Sequence, residues 1–235
     1  MLTKKKRIVL ILPLLFFSAT AIIFLYRNEE SAVSTAELSA GEKRVLVIDP
    51  GHGGLDGGAV SPTGQTESEV NLSIAFKMRE IARLLGTEPI LTRTSEELEY
   101  PDENASIHEK KVWDQKTRVA RINSAENAVL ISVHQNMFPD PRPSGTEVLY
   151  GKTAGSDSFA ALTQENLVKH LCPENRRVAA PISEKIYLMK NVHCPAILAE
   201  CGFLSNPGEA EKLKCDDYRT ELAIILIASY FQYVG

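Results

Sequence analysis

The 235-residue sequence predicts a single three-layer α/β domain, a twisted and mostly parallel sheet flanked by helices, preceded by one N-terminal transmembrane helix. Three observations carry this expectation. Short apolar runs recur at Val45 to Ile48, Val129 to Val133 and Ala196 to Ala199, and unbroken runs without period-two alternation suit strands covered on both faces. Helical periodicity lies between them, clearest in Val70, Ile74, Met78, Ile81 and Leu85 at steps of three or four, with Gly86 placed to stop the helix. At the start of the chain, 19 residues from Ile8 to Tyr26 carry no charge.

Taken in order, that first run nearly spans a ~30 Å hydrocarbon core at about 1.5 Å per residue. Lys4, Lys5, Lys6 and Arg7 precede it, which orients the N-terminus to the cytoplasm and everything after Arg27 to the outside. Residues 1–27 are therefore expected to anchor the chain, with an extracytoplasmic domain to follow. The alternative is a signal peptide cleaved near Ala36 or Ala40, leaving a secreted protein. Residues 28–42 are small, polar and acidic, which suits a linker, so the folded domain is expected over 43–235. Within it, Pro89 to Leu91, Thr146 to Tyr150 and Ile186 to Met189 read as further strands. Trp113 to Ala125, Ser158 to His170 and Tyr218 to Phe231 read as further helices. Residues 94–112, charged and holding Pro101, read as a long exposed excursion.

Composition narrows the function classes. With 44% hydrophobic and 24% charged residues the chain is neither disordered nor fibrous. A formal charge of −4 gives no basic face for nucleic acid. Four cysteines are too few for a disulfide scaffold. Cys194 and Cys201 bracket a strand, too far apart for a bridge at ~3.3 Å per residue, and free thiols are expected.

Each of the three buried-strand candidates runs into a polar residue with chemical potential: His52, His134 and Glu200. Ligands bind outside the carboxyl ends of strands in open α/β sheets, so one edge would gather all three. His52 lies in DPGHGGLDGGA, whose five glycines allow sharp turns around an uncrowded imidazole, as a phosphate cradle or a metal loop would need. The glycine order matches neither phosphate-binding pattern, and no basic residue lies within it. Two imidazoles and one carboxylate form a recurrent ligand set for catalytic zinc. Glu67 and Glu69 are the carboxylate candidates: Glu67 is expected just outside the first helical turn, free to face the glycine loop, and Glu69 to face solvent.

In order along the chain, VIDPGHGGLDGGAV, ESEVNLSIA, LTRTSEE, RVARIN, LISVHQN, SGTEVLY and PAILAECGFLSNPGEAEKL span most of residues 44–233. Together they resemble the zinc-dependent N-acetylmuramoyl-L-alanine amidases of bacterial cell-wall metabolism. The resemblance implies one Zn²⁺ bound by His52, Glu67 and His134, with Glu200 assisting catalysis. It also implies a peptidoglycan substrate, cut at the amide between the muramic lactyl group and L-alanine. The anchor and the stretch IYLMKNV further resemble the spore-cortex, germination-specific branch, whose enzymes prepare muramic acid for δ-lactam formation. That resemblance implies residence in the forespore intermembrane space and, by analogy with clostridial relatives, a lipoprotein partner. Glu96, Gln135 and Cys201 depart from residues common at their positions, and none is a proposed ligand. Arg93, Arg118 and Asn123 match the family and read first as structural. His108, His170 and His193 match no motif and read as surface residues. A zinc peptidase cutting within the stem peptide would use the same ligands, and a non-catalytic wall-binding module would need none of them.

Overall fold

The computed structural model describes residues 43–235, so the expected anchor of 1–27 and the linker at 28–42 lie outside the described residues. The sheet begins with β1 (Val45–Pro50), whose Leu46, Val47 and Ile48 are fully buried. The chain then crosses to α1 (Glu67–Leu84), which starts at a capping box. The Thr66 side chain accepts from the Glu69 backbone N–H, and Glu69 reaches back to the backbone N–H of Thr66. Val70, Ile74, Met78 and Ala82 form its buried stripe, and Gly86 follows its end with φ +80°.

After the short strand β2 (Ile90–Leu91), the excursion closes at Ser106, which caps α2 (Ile107–Asn123) with a second capping box through Glu109. The helix thus begins six residues before the expected Trp113, because the cap lies upstream of the first apolar repeat. β3 (Ala128–Asn136) forms the centre of the sheet, followed by β4 (Glu147–Tyr150), α3 (Ser156–Leu171) and the two-residue β5 (Ala180–Pro181). Ile186 to Met189, expected as a strand, instead enters α4 (Tyr187–Asn191), a short helix that buries Leu188 and Met189 and leaves Ile186 and Tyr187 exposed. The edge position beside β4 is filled by β5, so this apolar run packs on the face of the sheet. β6 (Ala196–Phe203), α5 (Pro207–Lys214) and α6 (Asp216–Val234) complete the chain.

The strand order is β2-β1-β3-β6-β4-β5. All neighbours run parallel except β4 and β6, so the sheet is mostly parallel, as expected, with one antiparallel pairing. Alternation along the strands divides the core in two. Leu46, Ile48, Val129, Ile131, Val133, Ile197 and Ala199 pack on one side with α1, α3 and α6. On the other side Val47, Leu130, Ala196 and Leu198 meet Ile122 of α2 and the two buried residues of α4. Among the described residues, no helix is long and apolar enough to cross a membrane.

Candidate metal centre

Because β1, β3 and β6 are adjacent and parallel, their carboxyl ends share one edge. Pro50 pairs with Val133 and His134 pairs with Glu200, so the loop after β1 opens beside both residues. His134 and Glu200 lie on the strand positions that alternate with the α1-facing core residues, and so point to the side covered by α2 and α4. The cavity there, about 380 Å³, is walled by His52, Glu67, His134 and Glu200, with Leu188 and Met189 on its apolar side.

The glycine loop turns back on itself through paired backbone hydrogen bonds between Gly53 and Asp56 at 2.7 and 3.0 Å. His52 takes φ +62°, a left-handed conformation unfavourable for a side chain larger than glycine. It is held there by polar grips. Arg118 donates to the carbonyls of Pro50 and His52, at 2.7 and 2.5 Å, and to Asp49 Oδ1 at 3.0 Å. Arg93 donates to the carbonyls of Pro50, Gly51 and Ser68. Asp49 also accepts from Thr92 at 2.5 Å and Ser132 at 2.7 Å. Burial would raise the Asp49 carboxyl, but Arg118 and the two hydroxyls hold it below its ordinary value. Asn123 joins Asn191 and His193 and stays out of the cavity. His108, His170 and His193 are exposed, and all four cysteines are unpaired.

Glu67 is the first residue of α1, inside the helix rather than outside its first turn as expected, because Thr66 takes the cap. Its buried carboxylate joins the other pieces. Oε1 lies 2.9 Å from His134 Nδ1 and accepts the Gln135 backbone N–H at 3.0 Å. Oε2 lies 3.3 Å from His52 Nε2 and accepts the Ala59 backbone N–H at 2.9 Å. Burial opposes its ionisation, yet the two imidazoles outweigh that and keep it well below the usual carboxylate range. His52 loses basicity through burial and regains more from Asp56 and Glu67, rising to about 9. Glu69 is exposed, as expected.

Glu200 differs from Glu67. Its Oε2 is buried without a hydrogen-bond partner. Burial is the main reason its carboxyl is pushed up to about 7, with His134 opposing and the Glu67 and Glu147 charges reinforcing. The residues fit a divalent metal. One donor atom from each of His52, Glu67 and His134 lies within 4.8 Å of the others, and a nitrogen and oxygen set of this kind suits zinc. Glycine backs the cluster at two points. A Cβ on Gly51 would run into the His134 ring, and one on Gly58, at φ +68°, would come within 2.6 Å of Glu67 Oε2.

Sequence reasoning passed over Asp56 as a partner of this cluster, although it lies in the glycine loop four residues after His52. Its Oδ2 is 3.1 Å from His52 Nδ1. The unusual Gln135 and Cys201 lie on the α1 side of the sheet. Gln135 Nε2 donates to Asn71 Oδ1, and Asn71 Nδ2 donates to the Gly51 carbonyl. Glu96 pairs with Arg93 Nη1 at 3.1 Å.

Fold and site together define a class: an α/β domain that presents a two-histidine, one-carboxylate cluster at its strand ends, with an unpaired carboxyl beside it. Residues 46–229 match the family model described as N-acetylmuramoyl-L-alanine amidase. The germination-specific N-acetylmuramoyl-L-alanine amidase of Bacillus subtilis is 36% identical over 191 residues, covering 81% of this chain and 79% of that protein. The amidase LytC of the same organism is 32% identical, covering 76% of this chain but only 33% of its own length. Among solved structures, the CwlD amidase of Clostridioides difficile, in complex with the GerS lipoprotein, superposes with a TM-score of 0.78 at 30% identity, over 82% of this chain and 98% of that one. The chain belongs to the N-acetylmuramoyl-L-alanine amidase family and is an amidohydrolase.

Proposed function

We propose that the chain is a zinc-dependent amidase of the spore cortex, in which His52, Glu67 and His134 hold the metal and Glu200 moves the proton. The observation that carries this reading is the convergence of three donor atoms within 4.8 Å beside the unpartnered Oε2 of Glu200. The 36% identity to a germination-specific amidase supports the cortex role, and the likeness to an amidase solved in complex with a lipoprotein supports a lipoprotein partner. The uncharged run from Ile8 to Tyr26 would tether the domain of residues 43–235 outside the membrane.

Zinc in this site would supply Lewis-acid polarisation of the scissile carbonyl and an acidified water. The protein supplies the rest. Glu200 takes a proton from the attacking water and returns it to the departing alanine nitrogen. Leu188, Met189 and Leu198 give the cavity an apolar wall beside it. His52 and His134 flank Glu67 with their rings edge to face, 5.0 Å between centroids, which sets the three donors side by side.

The test is mass spectrometry of cortex peptidoglycan fragments after incubation with the detergent-purified full chain and zinc, beside a chelated control. Release of intact stem peptides beginning with L-alanine, leaving bare muramic acid, is expected only with metal. Cuts inside the stem peptide would replace this reading with a peptidase, and fragments formed equally under chelation would remove the metal from it.

A further inference from the structure

The helix α2 reaches His52 by two routes. Arg118 grips the backbone of the loop, as described above. Two turns nearer the start of the helix, Lys111 Nζ lies 2.9 Å from Asp56 Oδ1, and the other oxygen of Asp56 lies 3.1 Å from His52 Nδ1. The second ring nitrogen, Nε2, faces Glu67 at 3.3 Å. One imidazole is thus shared between the metal cluster and a carboxylate that is itself pinned by a lysine 55 residues further along the chain.

Physical reasons make this arrangement more than a surface ion pair. A metal-ligating imidazole takes its tautomer and ring orientation from the group on its other nitrogen, and changing that group costs roughly 10–100-fold in metal affinity. The backbone of His52 is left-handed, and its φ restricts which staggered χ1 wells are open without setting the ring's rotation about χ2. The ring must be aimed from outside, and among the described residues Asp56 is the carboxylate on Nδ1. Asp56 sits in a tight glycine turn whose own backbone bonds, to Gly53, leave its side chain free to swing. Lys111 removes that freedom. We propose that Lys111 and Asp56 form a relay that orients His52 toward the metal, with Lys111 acting as a positioning residue solely through Asp56. The inference rests on the zinc reading of the site.

A double-mutant cycle on the detergent-purified full chain tests it, with zinc affinity measured by competition against a chromogenic chelator and the thermal midpoint of the metal-free protein as a fold control. Asp56→Ala is expected to weaken zinc binding by roughly 10–100-fold with little change in midpoint. Asp56→Asn, which keeps the backbone turn, should fall in between. Lys111→Met is expected to weaken binding about two- to fivefold, as befits a partly exposed pair, and to have no effect once Asp56 is alanine. The visible spectrum of the cobalt-substituted protein should change in Asp56→Ala and Lys111→Met alike. Zinc affinity unchanged in Asp56→Ala would overturn the relay. A Lys111→Met effect that persists undiminished in the Asp56→Ala background would overturn the assignment of Lys111, showing that it acts directly. A parent chain that binds no zinc would overturn the metal-centre reading, and the relay with it.

Discussion

His134 and Glu200 are direct partners in the parallel register of β3 and β6. Paired residues on neighbouring strands project from the same face, so one strand pairing fixes a proposed ligand beside a proposed proton carrier. The carboxyl and the metal cluster are therefore separable by substitution. Glu200→Gln keeps the shape of the side chain and leaves His52, Glu67 and His134 in place. It is expected to bind zinc like the parent while turnover falls at least ~100-fold. A near-parental rate would remove Glu200 from the mechanism. His134→Ala, by contrast, is expected to lose both zinc and activity.

The Asp49–Arg118 pair makes stability depend on pH. The Asp49 carboxyl is held below its ordinary value in the fold, so its contribution is complete above the unfolded-state value near 3.8 and is lost as pH falls through the folded one. Thermal midpoints of the parent are expected to drop below about pH 4 more steeply than those of Asp49→Asn. At neutral pH, Asp49→Ala removes one of the two carboxylates on buried Arg118, Asp114 staying at 2.9 Å, and strands the Thr92 and Ser132 hydroxyls; it is expected to destabilise by about 1–3 kcal/mol in chemical denaturation. Equal acid slopes in parent and Asn variant would refute this assignment.

Gly58 tests how closely the backbone approaches the cluster. Gly58→Ala places a Cβ 2.6 Å from Glu67 Oε2 and 2.8 Å from His52 Cδ2, at a φ that itself costs an L-residue about 1–2 kcal/mol. Both a lower thermal midpoint and weaker zinc binding are expected. Gly64→Ala serves as a control: its φ is also positive, but a Cβ there meets nothing within 4 Å. It should lower the midpoint and spare metal binding. If both variants bind zinc alike, the loop is looser than these contacts imply.

Much of this arrangement was legible in the sequence wherever the signal was local. The buried strands announce themselves because both faces are covered and no alternation is needed, and α1 because Val70, Ile74 and Met78 repeat at helical spacing. The run Ile186 to Met189 misled because apolar content alone does not distinguish a strand from one turn of helix, and the fold needs only Leu188 and Met189 inside. The helix α5 went unread although Asn206 accepts from the backbone of Gly208 and Glu209 and Pro207 occupies its first turn, a start signal visible in the letters. At the site, His52 and Asp56 are four residues apart and could have been paired on paper. Lys111 could not, since nothing local links it to Asp56 across 55 residues. The grips of Arg93 and Arg118 on loop carbonyls were equally hidden, because a backbone acceptor leaves no mark on composition.

The left-handed backbone at His52 has a consequence for how the enzyme ages and fails. Glu67, His134 and Glu200 stand on a helix start and two central strands, rooted in the apolar core. His52 alone hangs on a turn, closed by the backbone bonds of Gly53 and Asp56 and gripped by the guanidinium groups of Arg93 and Arg118. Warming or mild denaturant should release that turn while the sheet is still intact, so catalytic competence would disappear at a lower temperature than the cooperative melt. A heat-damaged molecule of this kind would look folded, remain intact, and be recoverable on cooling.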